Sequence, residues 1–348
     1  MDSLSQIVLG GAVGEVVLGK KVGNKAIAWG ALAGTIPDLD VLPSQFMETV
    51  ARIEFHRSIT HSVLFAILLA PLLALLAKKI HKNAEASHWQ WSQLFFWSLF
   101  THAILDCFTT WGTQLFWPFL DVRIAWNTIS VVDPLYTVPF LALLVVTLFK
   151  DRNSRIRRQL NWAGLLVSTA YLGFTLINQS IMTSAFEKEL ANRDIRYSRL
   201  IIMPTIFNNA LWRGIAETED GYYIGFASIF DKSLKPDFHY FPAHHNLWEK
   251  LPRENRLQHL AAITNGYYLL RQKDEMIILS DLRFGQTGGW DSPDAPFIFN
   301  YTIFQDASGK VHITRARPPF NKADFNRMFS SLFARIKGRS DVKPENAG

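Results

Sequence analysis

Cysteine is almost absent: Cys107 stands alone in 348 residues. Intramolecular disulfides and thiolate zinc clusters are therefore excluded, and a metal site would have to be built from histidine and carboxylate. No RNA- or DNA-binding motif is present, so nucleic acid is not expected as a partner despite a net charge of +6. An ordinary cleavable signal peptide is not expected either. Asp2 precedes the first apolar run, and Lys20, Lys21 and Lys25 follow it, which reverses the usual order. No internal repeat is visible. The mean hydropathy of +0.07 is low for a wholly embedded chain, although 49% of the residues are hydrophobic. These two values predict a membrane half followed by a soluble half.

What is present is a series of apolar runs, at 5–19, 26–36, 62–77, 92–108, 132–149 and 162–181. Several fall short of the roughly 20 residues that a full span needs. The expected fold is an α-helical membrane bundle of about six helices over residues 1–183. The first two runs are rich in glycine and alanine and predict a tightly packed hairpin. Basic residues fall in alternate loops: Lys20, Lys21 and Lys25, then Lys78, Lys79 and Lys82, then Lys150, Arg152, Arg155, Arg157 and Arg158. The intervening loops hold only Arg52, Arg57 and Arg123. By the positive-inside rule the first set is cytoplasmic, and both termini and everything after the sixth run lie outside.

Beyond position 183 the pattern becomes that of a small extracytoplasmic α+β or β-rich domain, 184–337. Strands are expected over 199–204, 221–230, 266–271, 276–282, 296–304 and 310–316, separated by turns such as Glu219-Asp220-Gly221 and Ala307-Ser308-Gly309. An amphipathic helix is expected over 322–336, and a polar, disordered tail over 338–348.

The chemistry-bearing residues gather beside the apolar runs. Asp38 and Asp40 leave the second run, His56, Arg57 and His61 lead into the third, and His102 and Asp106 close the fourth. The lysine pattern, which takes no account of these residues, places them all in one extracytoplasmic layer. His102 and Asp106 are four apart and share one helix face. Asp38 and Asp40 lie in a proline-led turn from which both carboxylates can reach a cavity. An ionisable group at membrane depth costs about 2.5–3.5 kcal/mol on insertion scales, and converging carboxylates repel unless a cation compensates them. Imidazole with carboxylate suits Zn²⁺, Mn²⁺ or Fe²⁺ better than Ca²⁺ or Mg²⁺. Arg57 and Arg123 are candidates for binding an anionic substrate group or for anchoring at the interface. Asp133, Asp2 and Gln6 are further candidates at the same level, whereas Glu15 is expected to snorkel or to pair with a nearby lysine.

These motifs resemble the YdjM-like (YfhP-like) family of bacterial membrane-bound metal-dependent hydrolases. The resemblance is carried by Met1-Asp2-Ser3-Leu4-Ser5-Gln6-Ile7-Val8-Leu9-Gly10, Ile36-Pro37-Asp38-Leu39-Asp40, His56-Arg57-Ser58-Ile59-Thr60-His61-Ser62 and His102-Ala103-Ile104-Leu105-Asp106, and it covers roughly the first 180 residues. It implies a distant relation to zinc phospholipase C and nucleases related to it, and hence phosphoester hydrolysis by a metal-activated water. By motif it makes Asp38, Asp40, His56, His61, His102 and Asp106 the metal-site residues. Catalytic roles are expected of Asp38, Asp40, Arg57 and Asp106, a nearby Asp taking the proton and Arg57 or Arg123 neutralising the developing charge. Where some members carry a histidine near position 6, this chain has Gln6, whose neutral amide is a poor zinc ligand. The expected function is a hydrolase of the bacterial inner membrane acting on a phosphoester or another ester of a lipid-like substrate, with membrane lipids as its surroundings. The alternatives are a transporter or metal-handling protein, or a non-catalytic membrane protein in which a metal staples helices.

Overall fold

The computed structural model describes residues 1–316 and 321–338. The tail expected over 338–348 lies, beyond Gly338, outside the described residues. The chain divides into two units, the first comprising Met1–Met47, Glu54–Leu176 and Ile206–Asn208 and the second Glu48–Ile53, Ile177–Thr205 and Asn209–Gly348.

In the first unit, α1 (Ser3–Val22) and α2 (Asn24–Thr35) form the expected hairpin. Its closeness is set by glycine. A Cβ on Gly14 would lie 2.2 Å from the Ala26 carbonyl oxygen, and one on Gly34 would lie 2.5 Å from that of Gln6. Backbone therefore touches backbone along this seam. The chain leaves α2 through a tight turn, Pro37–Asp40, and the short helix α3 (Val41–Ser44); after α4 (Thr49–Phe55), most of which is counted with the second unit, comes a second turn, Ile59–His61. Then come α5 (Val63–Ile80), α6 (His88–Cys107), α7 (Pro134–Leu148) and α8 (Arg155–Asn192).

All six apolar runs are helical, but a bundle of six spans is not confirmed. Among the described residues, only α5 and α8 are long and apolar enough to cross a membrane, and α7 is apolar but short. The residues explain the rest: α2 has 12 residues, and α6 interrupts its apolar sequence with Gln90, Ser92, Gln93, Ser98, His102 and Asp106. One core joins Val8 and Ala12 of α1, Ile27 of α2, Leu105 of α6 and Phe140 of α7. A second packs Ala70, Ala74 and Ala77 of α5 against Trp91 and Phe95 of α6. Glu15 pairs with Arg157 rather than with a lysine. The guanidinium meets both carboxylate oxygens at 2.6 Å and is completed by the Asn24 side chain and the Thr147 and Lys150 carbonyls. Arginine's planar fork suits this buried two-point geometry better than an ammonium does.

The second unit is β-rich, as expected. β1 (Arg199–Pro204), β2 (Leu211–Glu217), β3 (Gly221–Ser228) and β4 (Asp237–Pro242) form one antiparallel sheet in chain order. After α9 (Asn255–Ile263), β5 (Tyr268–Lys273), β6 (Met276–Gln286), β7 (Phe297–Gln305) and β8 (Val311–Ala316) form another, and α10 (Lys322–Ile336) follows. The end of α8 supplies Met182, Phe186 and Leu190 to a core with Ile202, Trp212 and Phe238. A Cβ on Gly214 would strike the Phe186 ring at 2.2 Å, so glycine makes room for it. The boundary expected near 183 falls inside α8, which continues without a break to Asn192.

Candidate metal centre

Four side chains from three segments converge in the first unit: Asp38 from the turn after α2, His61 from the turn before α5, and His102 and Asp106 from one face of α6. One ligand atom from each lies within 4.8 Å of all the others. His61 Nε2 is 3.2 Å from His102 Nε2, 3.2 Å from Asp106 Oδ2 and 3.5 Å from Asp38 Oδ1. His102 Nε2 is 3.5 Å from Asp106 Oδ2 and 3.7 Å from Asp38 Oδ1. A tetrahedral ion with ligand bonds of about 2.0–2.1 Å separates its ligand atoms by about 3.3–3.4 Å.

The surrounding hydrogen bonds fix what each atom presents. His102 Nδ1 lies 2.7 Å from the Gly34 carbonyl. A carbonyl only accepts, so Nδ1 carries the proton and Nε2 turns a lone pair inward. Thr60 does the same for His61: its hydroxyl donates to Asp40 Oδ2 at 3.2 Å and accepts from His61 Nδ1 at 3.0 Å. The Met1 amine and the Gln6 amide both donate to Asp106 Oδ1. Asp106 Oδ2 is buried with no hydrogen-bond partner. Two imidazole lone pairs and two carboxylates therefore face one point with no donor hydrogen between them. That donor set fits a divalent cation.

Charge points the same way. Burial alone would raise the Asp38 carboxyl, but the His61 and His102 imidazoles, when they carry a second proton in place of a bound cation, outweigh it and hold Asp38 below the usual range. Burial alone would lower His61, and Asp106 and Asp38 more than reverse that. The pocket favours positive charge.

The other candidates take different places. Asp40 and His56 fall outside the group of four and bind each other, His56 Nδ1 donating to Asp40 Oδ1 at 2.9 Å. Asp40 also accepts from the Arg57 backbone N–H at 3.0 Å, which holds Arg57 at φ 60. A left-handed non-glycine residue is a strained feature that concentrates at functional sites. The Arg57 side chain is buried, with Nε 3.2 Å from Asp106 Oδ2 and Nη1 donating to Thr109 Oγ1 at 2.7 Å. Arg123 donates instead to the His56 and Glu54 carbonyls. Asp133 caps α7 through the Leu135 and Tyr136 N–H groups and accepts from Tyr171. Asp2 caps α1 and accepts from the Ser5 hydroxyl. Sequence reading missed Thr60 and the Gly34 carbonyl. Thr60 sits in the quoted motif beside His61, and that adjacency was the available signal; a backbone carbonyl leaves none.

A family model described as "YdjM inner membrane protein" matches residues 1–182. Inner membrane protein YbcI of Escherichia coli K12 is 29% identical over 118 residues, which is 32% of this chain and 66% of YbcI, just short of two thirds of its length. No solved structure is significantly similar.

Proposed function

Because the chain belongs to the YdjM inner membrane protein family, we propose that it is an inner-membrane, metal-dependent hydrolase acting on a phosphoester or another ester of a lipid-like substrate. The observation that carries this reading is the convergence of His61 Nε2, His102 Nε2, Asp106 Oδ2 and Asp38 Oδ1 with no donor among them. These four residues would hold the ion, zinc in the first instance and Mn²⁺ or Fe²⁺ in the second. A bound divalent ion supplies a nucleophile at neutral pH by lowering the pKa of a water to about 7, and it polarises the scissile oxygen. The protein's own part is positional. Gly34 and Thr60, the latter backed by Asp40, lock both imidazoles with their lone pairs inward. Asp38 is the open edge of the cluster, its side chain 21% exposed while those of His61, His102 and Asp106 are 0%. It is the carboxylate that meets a water arriving from solvent and takes its proton. The Arg57 guanidinium beside Asp106 offsets negative charge as it develops.

A second reading has one observation in its favour: four protein donors at near-tetrahedral spacing are also the composition of a closed, structural site. Metal content by mass spectrometry, followed by turnover of p-nitrophenyl phosphate, separates the two. Stoichiometric metal in the wild type, lost in His61→Ala and Asp106→Ala, together with turnover that Asp38→Asn abolishes, supports the hydrolase. The same metal result with no turnover on any phosphoester or carboxyl ester leaves the staple. A wild type that stays metal-free after reconstitution, while both variants fold normally, sinks both.

A further inference from the structure

Two loops of the first unit carry an apolar surface beside the cluster. The chain after α2 exposes Leu39, Leu42 and Phe46, and the loop between α6 and α7 exposes Phe116, Phe119 and Leu120. Phe46 is 93% exposed and Phe119 76%, extreme values for side chains that each bury a large apolar area when covered. Both loops are tied to the cluster. Leu39 stands between Asp38 and Asp40. The second loop is fastened to the His56–His61 segment by Gln114 N–H on the Arg57 carbonyl and Val63 N–H on the Leu115 carbonyl, each 3.0 Å, and by the Trp111 ring 5.4 Å from that of His56.

What covers this surface follows from its composition and its continuity. There is no lysine or arginine between Lys25 and Arg52, nor between Lys82 and Arg123, so the stretches that carry the exposed apolar residues, 39–46 and 116–120, hold none of the cations that mark a cytoplasmic face. The second loop is aromatic, with Trp111, Phe116, Trp117, Phe119 and Trp126, the composition of a membrane-interface belt. Through Val63 the second loop is bonded to the first residue of α5, a helix long enough to span that exposes Ile67, Leu68 and Leu72 to its surroundings.

We propose that these loops form a rim set into the bilayer, occupied by lipid acyl chains, through which an amphiphile reaches Asp38 sideways from the leaflet. The lateral route rests on the hydrolase reading; the position of the rim does not.

The test uses full-length protein in nanodiscs of phosphatidylethanolamine and phosphatidylglycerol, spin-labelled at Phe46→Cys, Phe119→Cys or, as a water-facing control, Lys82→Cys. The native Cys107 is buried and does not compete for label. Labels at 46 and 119 should collide more with dissolved oxygen than with a water-soluble nickel chelate, with the reverse at 82. Chelate-dominated collisions at 46 and 119 overturn the rim, whatever the enzymology shows. With turnover established, the double variant Phe46→Ser/Phe119→Ser should raise the ratio of KM for a long-chain phosphatidate in vesicles to KM for p-nitrophenyl phosphate by about tenfold or more. An unchanged ratio overturns the lateral route. No turnover on either substrate defeats the hydrolase reading alone and leaves the collision data to decide the rim.

Discussion

At the residue scale, the candidate centre depends on groups that never face the ion's position. Thr60 links Asp40 to His61, so Thr60→Val should weaken metal affinity about 10–100-fold, the usual size of such outer contacts, and Thr60→Ser should restore it. Competition with a zinc chelator measures both. His56→Ala should leave affinity nearly unchanged, because His56 touches Asp40 and lies outside the group of four; stoichiometric metal loss in that variant would return His56 to the ligand set. Acid should also release the ion. The carboxylates of Asp38 and Asp40 are held below their ordinary 3.8, so they stay ionised through mild acid. The His61 imidazole is held above its ordinary 6.5, so protons compete there first as pH falls. Metal content after dialysis should be constant above about pH 8 and lost below roughly pH 6. Loss confined to pH below about 4 would assign the competition to the carboxylates instead. The four converging residues were legible in the sequence because His102 and Asp106 share a helix face and the turn residues flank apolar runs. The ordering of those ligands was not legible, since the Gly34 carbonyl and the Gln6 amide act through contacts between segments far apart in the chain.

At the element scale, the α1–α2 seam joins stability to the site. Gly14→Ala and Gly34→Ala each force a methyl against opposing backbone, and each should cost about 1–3 kcal/mol, read as a lowered unfolding temperature in detergent. Only Gly34→Ala should also weaken metal binding, because Gly34's carbonyl fixes His102. Equal metal loss in both variants would mean that the hairpin acts on the site only through global unfolding. Glycine and alanine content made this hairpin readable in advance. Hydropathy located all six helices, but six spans are not confirmed: α2, with 12 residues, is short of the length a bilayer needs, and α6, with 20, is interrupted by polar side chains. In the second unit, the strands with alternating β-formers were visible. β2 was hidden by Arg213 and Gly214 within Leu211–Glu217, and β4 by Pro236 before it and Pro242 at its end. Gly214 is there to admit Phe186 from α8, a contact that no local pattern announces.

At the scale of the whole molecule, the distribution of lysine and arginine sets the expected orientation, with the cluster and the β-rich unit outside the cytoplasm. In intact cells a membrane-impermeant maleimide should label Lys232→Cys and spare Asn153→Cys until the membrane is permeabilised; the opposite pattern would invert the topology. The division into a helical and a β-rich part could be read from composition, whereas the helix that crosses the change could not, because α8 turns from lipid-like to soluble character without a break. The hairpin seam has one more consequence, in the order of manufacture. α1 and α2 adjoin in sequence and close on each other with backbone against backbone at their glycines, and Gly34 is synthesised 68 residues before the His102 that it will orient. At about 5–20 residues per second this is a head start of roughly 3–14 s. The nascent chain can thus finish the platform before the α6 ligands leave the ribosome, so that His102 and Asp106 are delivered to a docking point already in place.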